Sequence, residues 1–356
     1  MKAFAQKMKT LLETRKQMLE SKKRNNDGFT LLELLVVVAI LAAIAGTATI
    51  ALQDTDARAA AAAHVAMMDE LNKGVGTFRV LQKNVLPNNL DSLLSHSGTD
   101  FALLPNGNGE ILGIENDGTT TGDIGAFILP ADSYDRMEEI GMTHLRYINA
   151  DAATNELPDD VTSCAVANGN LQNVINSRSN AVVAGNIFNG PEGNGCGESV
   201  AMDSTATVPV ALWTGTAERI LGPGDYGSFQ VTAPDIDTAP AAIAAAALQG
   251  TARTATAGVP APIMMAVGFG PASDLFNVQK LGAMTSVPVY RHVNPDQYNR
   301  FIGLFQVATA ISGDAGAYSS GTIEAVDMIT FLGVVDGAGD TKEEELGEWD
   351  GTRSTI

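Results

Sequence analysis

Gly28-Phe29-Thr30-Leu31-Leu32-Glu33, continued by a nearly uninterrupted apolar run over 34–52, divides this chain of 356 residues into a basic beginning and an acidic remainder. As a helix, the 24 residues 29–52 reach about 36 Å, more than the roughly 30 Å hydrocarbon core of a bilayer. Leu, Val, Ile and Ala follow one another there without a Pro. Because a backbone in lipid must satisfy its own hydrogen bonds, the run reads as a helix of membrane-spanning length. Glu33 is its one carboxylate. A charge in such a run is costly and as a rule has a partner or a task, unless it lies near enough to the interface to reach water. The residues alone leave both readings of Glu33 open.

Ahead of the run, residues 1–28 hold Lys2, Lys7, Lys9, Arg15, Lys16, Lys22, Lys23 and Arg24 against Glu13, Glu20 and Asp27, a net charge of +5. An excess of Lys and Arg beside a span marks the cytoplasmic side, so the remainder of the chain faces outward. Within this leader Leu11, Leu12, Met18 and Leu19 make a weak amphipathic pattern. Without residues 1–28 the chain keeps 14 basic and 38 acidic residues, a formal charge of −24. A surface of that sign repels nucleic acid, which is not expected as a partner.

The small residue at 28, Phe29, the Glu five places after Gly28 and the apolar run behind a basic leader together resemble the class III signal of type IV pilins and type II secretion pseudopilins. The resemblance implies that a prepilin peptidase cuts between Gly28 and Phe29, that the new amino terminus on Phe29 is N-methylated, and that Glu33 is retained for assembly. The chemistry behind the pattern is legible. Cutting after Gly28 creates a cationic amine, and a carboxylate four residues along shares its helix face. In a helical array Glu33 of one subunit pairs with the Phe29 amine of the next, so that two charges each costly in an apolar layer satisfy one another. Methylation keeps the amine's charge.

By the same resemblance the chain is a structural subunit of a type IV pilus-like filament. Its partners are then identical or related pilin subunits, the prepilin peptidase and inner-membrane assembly machinery. It resides in the inner membrane as a precursor and then in a periplasmic or extracellular filament. A minor or tip subunit and a pseudopilin of a secretion machine are the alternatives within the family. The rival from another class is a secreted or membrane-anchored binding or enzymatic domain, since Ala43-Ile44-Ala45 has the small-x-small form of an ordinary secretory cleavage site.

The fold class read from the whole chain is α+β, a long N-terminal helix packed on an enlarged, strand-rich head. Residues 1–28 are the cleaved leader, 29–52 the membrane or filament-core helix and 53–80 its amphipathic continuation. Residues 81–333 form the head, as one body or two subdomains, and 334–356 an acidic, mobile tail. Ala59 to Ala63 support the continuation, Ala being the best helix former, and His64 is read as an ordinary helix-face residue. After Pro87, the spacing of Leu90, Leu93 and Leu94 predicts a short helix capped by Asn88 or Asn89. Strands are expected at 126–129, 143–149, 208–213, 227–232, 263–269, 287–290 and 300–310, with a helix at 133–142 and either a helix or a low-complexity linker in the Ala-rich 239–248.

Signals of catalysis are few, and no enzymatic activity is expected. Gly222-Pro223-Gly224-Asp225-Tyr226-Gly227 has dinucleotide-binding spacing, but a strand-like segment comes next where that motif opens a helix, so it reads as a turn. His64, His96, His144 and His292 are scattered. The two cysteines, Cys164 and Cys196, suit a disulfide in an oxidising compartment, worth about 3–4 kcal/mol in the chain-entropy model; two buried thiols are the other reading. No cofactor is expected. Weak calcium candidates are Asp117 and Asp123 on one Gly-rich loop and Asp336 and Asp340 on another, neither with the helix-flanked twelve-residue pattern.

Overall fold

In the first unit of the chain, residues 1–59, the described residues form helices apart from Thr30. The structure is a computed structural model and describes residues 2–23, 30–97, 100–103, 124–149, 197–202, 208–213, 215–227, 229–232, 243–244, 252–255, 259–280, 284, 286–290, 298–310 and 323–350. In this unit lie α1 (Lys2–Lys23) and the first part of α2 (Leu31–Leu81). Residues 31–49 form a helix long and apolar enough to cross a membrane, with none of it buried. Gly46, Thr47 and Thr49, poor helix formers within the run, do not interrupt it. Thr47 donates its hydroxyl to the Ile44 carbonyl at 3.0 Å and Thr49 to that of Ala45 at 2.8 Å, so both hydroxyls are satisfied within the helix.

The second unit, residues 60–356, begins with the rest of α2. Ala61, His64, Met68, Leu71, Val75 and Phe78 are buried, three and four residues apart, as in a helix laid against a core along one stripe. The helix closes at Lys83 and Asn84, which take φ of 57° and 72°. There the Asn84 amide donates to the Arg79 carbonyl at 2.7 Å and its side chain accepts from the Arg79 guanidinium at 2.6 Å. Asn is among the few residues that adopt this backbone region readily.

The core of this unit is a branched sheet. Its strands are β1 (Leu90–Ser97), β2 (Asp100–Leu103), β3 (Ile124–Phe127), β4 (His144–Asn149), β5 (Gly197–Ala201), β6 (Val210–Trp213), β8 (Ile243–Ala244), β10 (Ala261–Gly268), β11 (Ile302–Ala310) and β12 (Ile323–Val335); β7 (Phe229–Thr232) and β9 (Ala252–Ala255) pair separately. The main path runs β12-β11-β10-β1-β2-β8. β10, whose sequence Ala-Pro-Ile-Met-Met-Ala-Val-Gly is apolar nearly throughout, is buried over almost its whole length. One side of β10 pairs with β11; on the other, Met264 and Met265 oppose β6 while Gly268 opposes Asp91 of β1. β1 is parallel to β4 and antiparallel to β2. Between these strands lie α3 (Ala131–Glu139), the one-turn α4 (Glu218–Leu221) and, after β12, α5 (Lys342–Asp350). The architecture is α+β.

Residues 90–94 overturn the expectation of a short helix. They belong to β1, and the register with β4 shifts between Asp91 and Ser95. Leu93 takes φ 59° in this bulge, and the Ser92 hydroxyl accepts from the Leu94 amide at 3.2 Å. A bulge adds a residue to the strand and breaks its strict alternation. Leu90, Leu93 and Leu94 are therefore all fully buried from a strand, with the i, i+3, i+4 spacing that a helix would also produce. Strands at 124–127, 144–149, 210–213, 229–232, 261–268 and 302–310 and the helix at 131–139 lie close to their expected places. Residues 287–290 form no strand, and of 239–248 only the two residues of β8 are described.

Residues 334–350, expected within an acidic tail, carry the end of β12, a turn and α5. Residues 323–335 are a 13-residue strand paired with β11, and α5 comes after a tight turn. Acidic composition suggested solvent, but Asp340, Lys342, Glu344 and Glu345 have partners of opposite charge or a His ring beside them. Lys342 of α5 donates to both carboxylate oxygens of Asp69 on α2, at 2.7 and 2.8 Å. Arg219 of α4 makes a two-pronged bond to Glu344 at 3.2 and 3.1 Å, donates to the Gly339 carbonyl and lies 5.4 Å over the Trp213 ring.

Candidate functional site

The site begins at the entry to α2. Thr30 precedes the first helical residue, and its hydroxyl accepts from the Glu33 amide at 3.2 Å. The Glu33 carboxylate reaches back and accepts from the Thr30 amide at 2.9 Å and the Thr30 hydroxyl at 3.0 Å. This is a reciprocal capping box, which satisfies amides that a helix start otherwise leaves without partners. Thr-x-x-Glu directly before an apolar run is its sequence signature, and the reading of Glu33 as a charge awaiting a distant partner overlooked it. In the uncut chain the carboxylate thus has local partners, while remaining exposed on the helix. Gly28 and Phe29 lie outside the described residues.

A second cluster sits where α2, the 336–341 turn and α5 meet within the second unit. Asp336 is fully buried, and its Oδ1 accepts from the amides of Ala338, Gly339 and Asp340 at 2.8, 2.8 and 2.9 Å. Its oxygen is thus spent on its own turn, and Asp340 stands 3.8 Å from Arg219. Among the described residues no three His, Cys, Asp or Glu side chains converge as a metal ion would need. His64, read from sequence as an ordinary helix-face residue, is 2% exposed, with Nδ1 3.3 Å from Glu345 Oε1 and its ring 4.8 Å from that of Tyr290. α5 opens on a second capping box: the Thr341 amide and hydroxyl both donate to Glu344 at 2.9 Å.

Burial pushes the Asp336 carboxyl well above the usual carboxylate range, and the hydrogen bond and charge of Glu345 push the same way against the turn amides. Such a group holds its proton more tightly folded than unfolded. The stability it brings is complete below the ordinary value of 3.8 and is lost as the pH rises through the raised one. In Asp336→Asn the side-chain carbonyl still accepts from the turn amides, and the amide group donates as the protonated acid does. Thermal unfolding of the full chain in detergent, from pH 4 to 8, is expected to show the wild type losing ground steadily to this variant as the pH rises. A gap that does not change with pH contradicts the proton's place there.

A third cluster is buried where β1, β4 and β10 meet. Asp91, with no exposure, accepts from Arg146 at 3.2 Å on Oδ1 and from the Tyr298 hydroxyl at 2.9 Å on Oδ2. Burial raises its carboxyl above the usual range, and Arg146, Tyr298 and Arg300 pull it back. Gly268 and Gly270 make room for the group, because a Cβ on the first would collide with the Tyr298 hydroxyl and on the second with the Asp91 carboxylate. The cluster is enclosed by core residues and has the character of a structural pin. Gly222, in the sequence that imitates a dinucleotide loop, ends α4 with φ 81°, and β7 comes next.

Of the remaining candidates, Cys164, Cys196, Asp117 and Asp123 lie outside the described residues. The comparison with known families finds the prokaryotic N-terminal methylation motif over residues 23–49. That match takes in the Gly28–Glu33 stretch and the helix through Thr49, and the chain thus carries a class III signal of the pilin and pseudopilin kind. No curated protein and no solved structure matches the chain.

Proposed function

We propose that the chain is the precursor of a structural subunit of a type IV pilus-like filament, cut between Gly28 and Phe29, methylated on Phe29 and assembled through α2. The observation that carries this reading is the methylation motif over 23–49 coinciding with an exposed apolar helix over 31–49. In lipid that surface is covered by acyl chains; in a filament, by the same helix of neighbouring subunits, so extraction from the bilayer keeps it away from water. Glu33 supplies the register. In the precursor it closes the capping box, and after the cut it pairs with the methylated Phe29 amine of a neighbour. The partners are copies of this chain or related subunits, the prepilin peptidase and the inner-membrane assembly machinery, and the role is structural, not enzymatic. A disulfide between Cys164 and Cys196 in the outward-facing part belongs to the same proposal.

The cap and the ion pair make different demands on residue 33. Gln closes a capping box as Glu does, but it cannot neutralise an amine. Glu33→Gln is therefore expected to insert and to be cut normally, yet to fall by roughly a hundredfold or more in sheared surface filaments, as breaking a buried ion pair would require. Glu33→Ala is expected to lose assembly to the same degree. Thr30→Ala, which removes the cap hydroxyl and leaves the carboxylate, is expected to assemble. Quantifying the subunit in sheared and membrane fractions decides the matter, and filaments at wild-type yield from Glu33→Gln refute the pairing.

A further inference from the structure

We infer that α1 is an interfacial helix that lies along the anionic cytoplasmic leaflet and holds the segment to be cut at the membrane surface; this rests on the spanning orientation proposed above. Met8, Leu11, Leu12 and Met18 are exposed, at 54, 66, 64 and 68%, on a 22-residue helix. Their spacing of i, i+3, i+4 and i+10 puts them on one side. Gln6, Glu13 and Gln17 fall on the other, and Lys9 and Lys16 stand at the border of the apolar side. Arg15 falls within that side, four residues after Leu11. Its long stem lets the guanidinium reach a lipid phosphate while the neighbouring side chains enter the acyl boundary. Thr10 and Thr14 return their hydroxyls to the carbonyls of Gln6 and Thr10, at 2.8 and 2.6 Å, so neither hydroxyl needs water.

Two features name the occupant of this apolar side. The first is charge: the leader carries a net +5, and the cytoplasmic leaflet is negative. The second is continuity, because only residues 24–30 separate α1 from a helix of spanning length. An amphipathic helix with cations bordering its apolar side and a membrane so few residues away has the design of a surface-bound segment. Residues 24–30, which include Gly28 and Phe29, then lie between a helix along the surface and a helix across the bilayer.

The test uses the full-length precursor with Cys164 and Cys196 changed to Ser, carrying one fluorophore at Met8→Cys, Gln17→Cys or Ile40→Cys, in nanodiscs with acyl-brominated lipid. In discs containing phosphatidylglycerol, quenching is expected at Met8 and Ile40 and not at Gln17. In discs of phosphatidylcholine alone, quenching is expected to fall at Met8 and persist at Ile40. Changing Lys9 and Lys16 to Gln is expected to lower the docked population about fivefold for each charge removed. Equal responses at Met8 and Gln17 while Ile40 is quenched overturn the interfacial helix alone, as does quenching at Met8 that ignores the anionic lipid. An unquenched Ile40 overturns the spanning reading and this inference with it.

Discussion

Gly28→Leu is expected to leave the entire population of the protein at full length, in the membrane fraction, with none in sheared filaments. In the proposed cut the scissile backbone enters a peptidase site, and the resemblance of Gly28–Glu33 to a class III signal implies a small residue before that cut. A Leu side chain blocks that approach without altering the charge of the leader or the length of the apolar helix. The converse control is Ala45→Leu, which spoils the Ala43-Ile44-Ala45 secretory alternative. It adds only apolar surface to a helix whose side chains are already exposed there, so processing is expected to continue. Immunoblotting of both variants separates the two routes. If Gly28→Leu is cut normally while Ala45→Leu accumulates uncut, the segment is an ordinary secretory signal and Glu33 has no part in assembly.

Asp91→Ala is expected to cost about 3–5 kcal/mol of stability, the usual penalty for stranding one member of a buried ion pair. Arg146, 3% exposed, would lose the carboxylate that its NH1 donates to, and the Tyr298 hydroxyl would lose its acceptor. The damage would be central, because Asp91 stands opposite both Gly268 of β10 and Arg146 of β4 in the sheet register. Asp91→Asn keeps an acceptor and is expected to cost less. Asp91→Asn combined with Arg146→Met removes both charges and is expected to recover much of the loss, since an apolar replacement of similar volume often matches a buried pair. Urea unfolding of the full chain in detergent measures all three. A cost below about 1 kcal/mol for Asp91→Ala would mean that water reaches Arg146 readily and that the cluster is not a pin.

What could be read from the sequence depended on whether a local rule was sufficient. The apolar run over 31–49 reads as helix because it is unbroken and of membrane-spanning length, the stripe from Ala61 to Phe78 follows the 3.6-residue period, and both are helix. β10 and β11 are apolar enough to be seen as strands. Leu90, Leu93 and Leu94 misled because the left-handed backbone at Leu93 gives a strand the spacing of a helix, and nothing local announces such a bulge. The acidic end misled because composition does not show pairing. Glu344 and Glu345 are held by Arg219, 125 residues away, and His64, 281 residues away. Two signals were present and overlooked: Thr30-x-x-Glu33 and Thr341-x-x-Glu344 are the same capping box, one opening the membrane-length helix and the other the last helix. The buried triad of Asp91, Arg146 and Tyr298 left no trace in the sequence, because its members come from three distant segments and meet only in the folded sheet.

The most direct measurement of the central claim is the amino-terminal mass of the chain recovered from sheared cell surfaces. Expected is a chain that begins at Phe29 and carries one methyl group on its amine, with the residues 1–28 retained only in the membrane precursor. A surface chain that begins at Gly46 would show an ordinary secretory cut, remove Glu33 from the exported protein and end the case for assembly through α2.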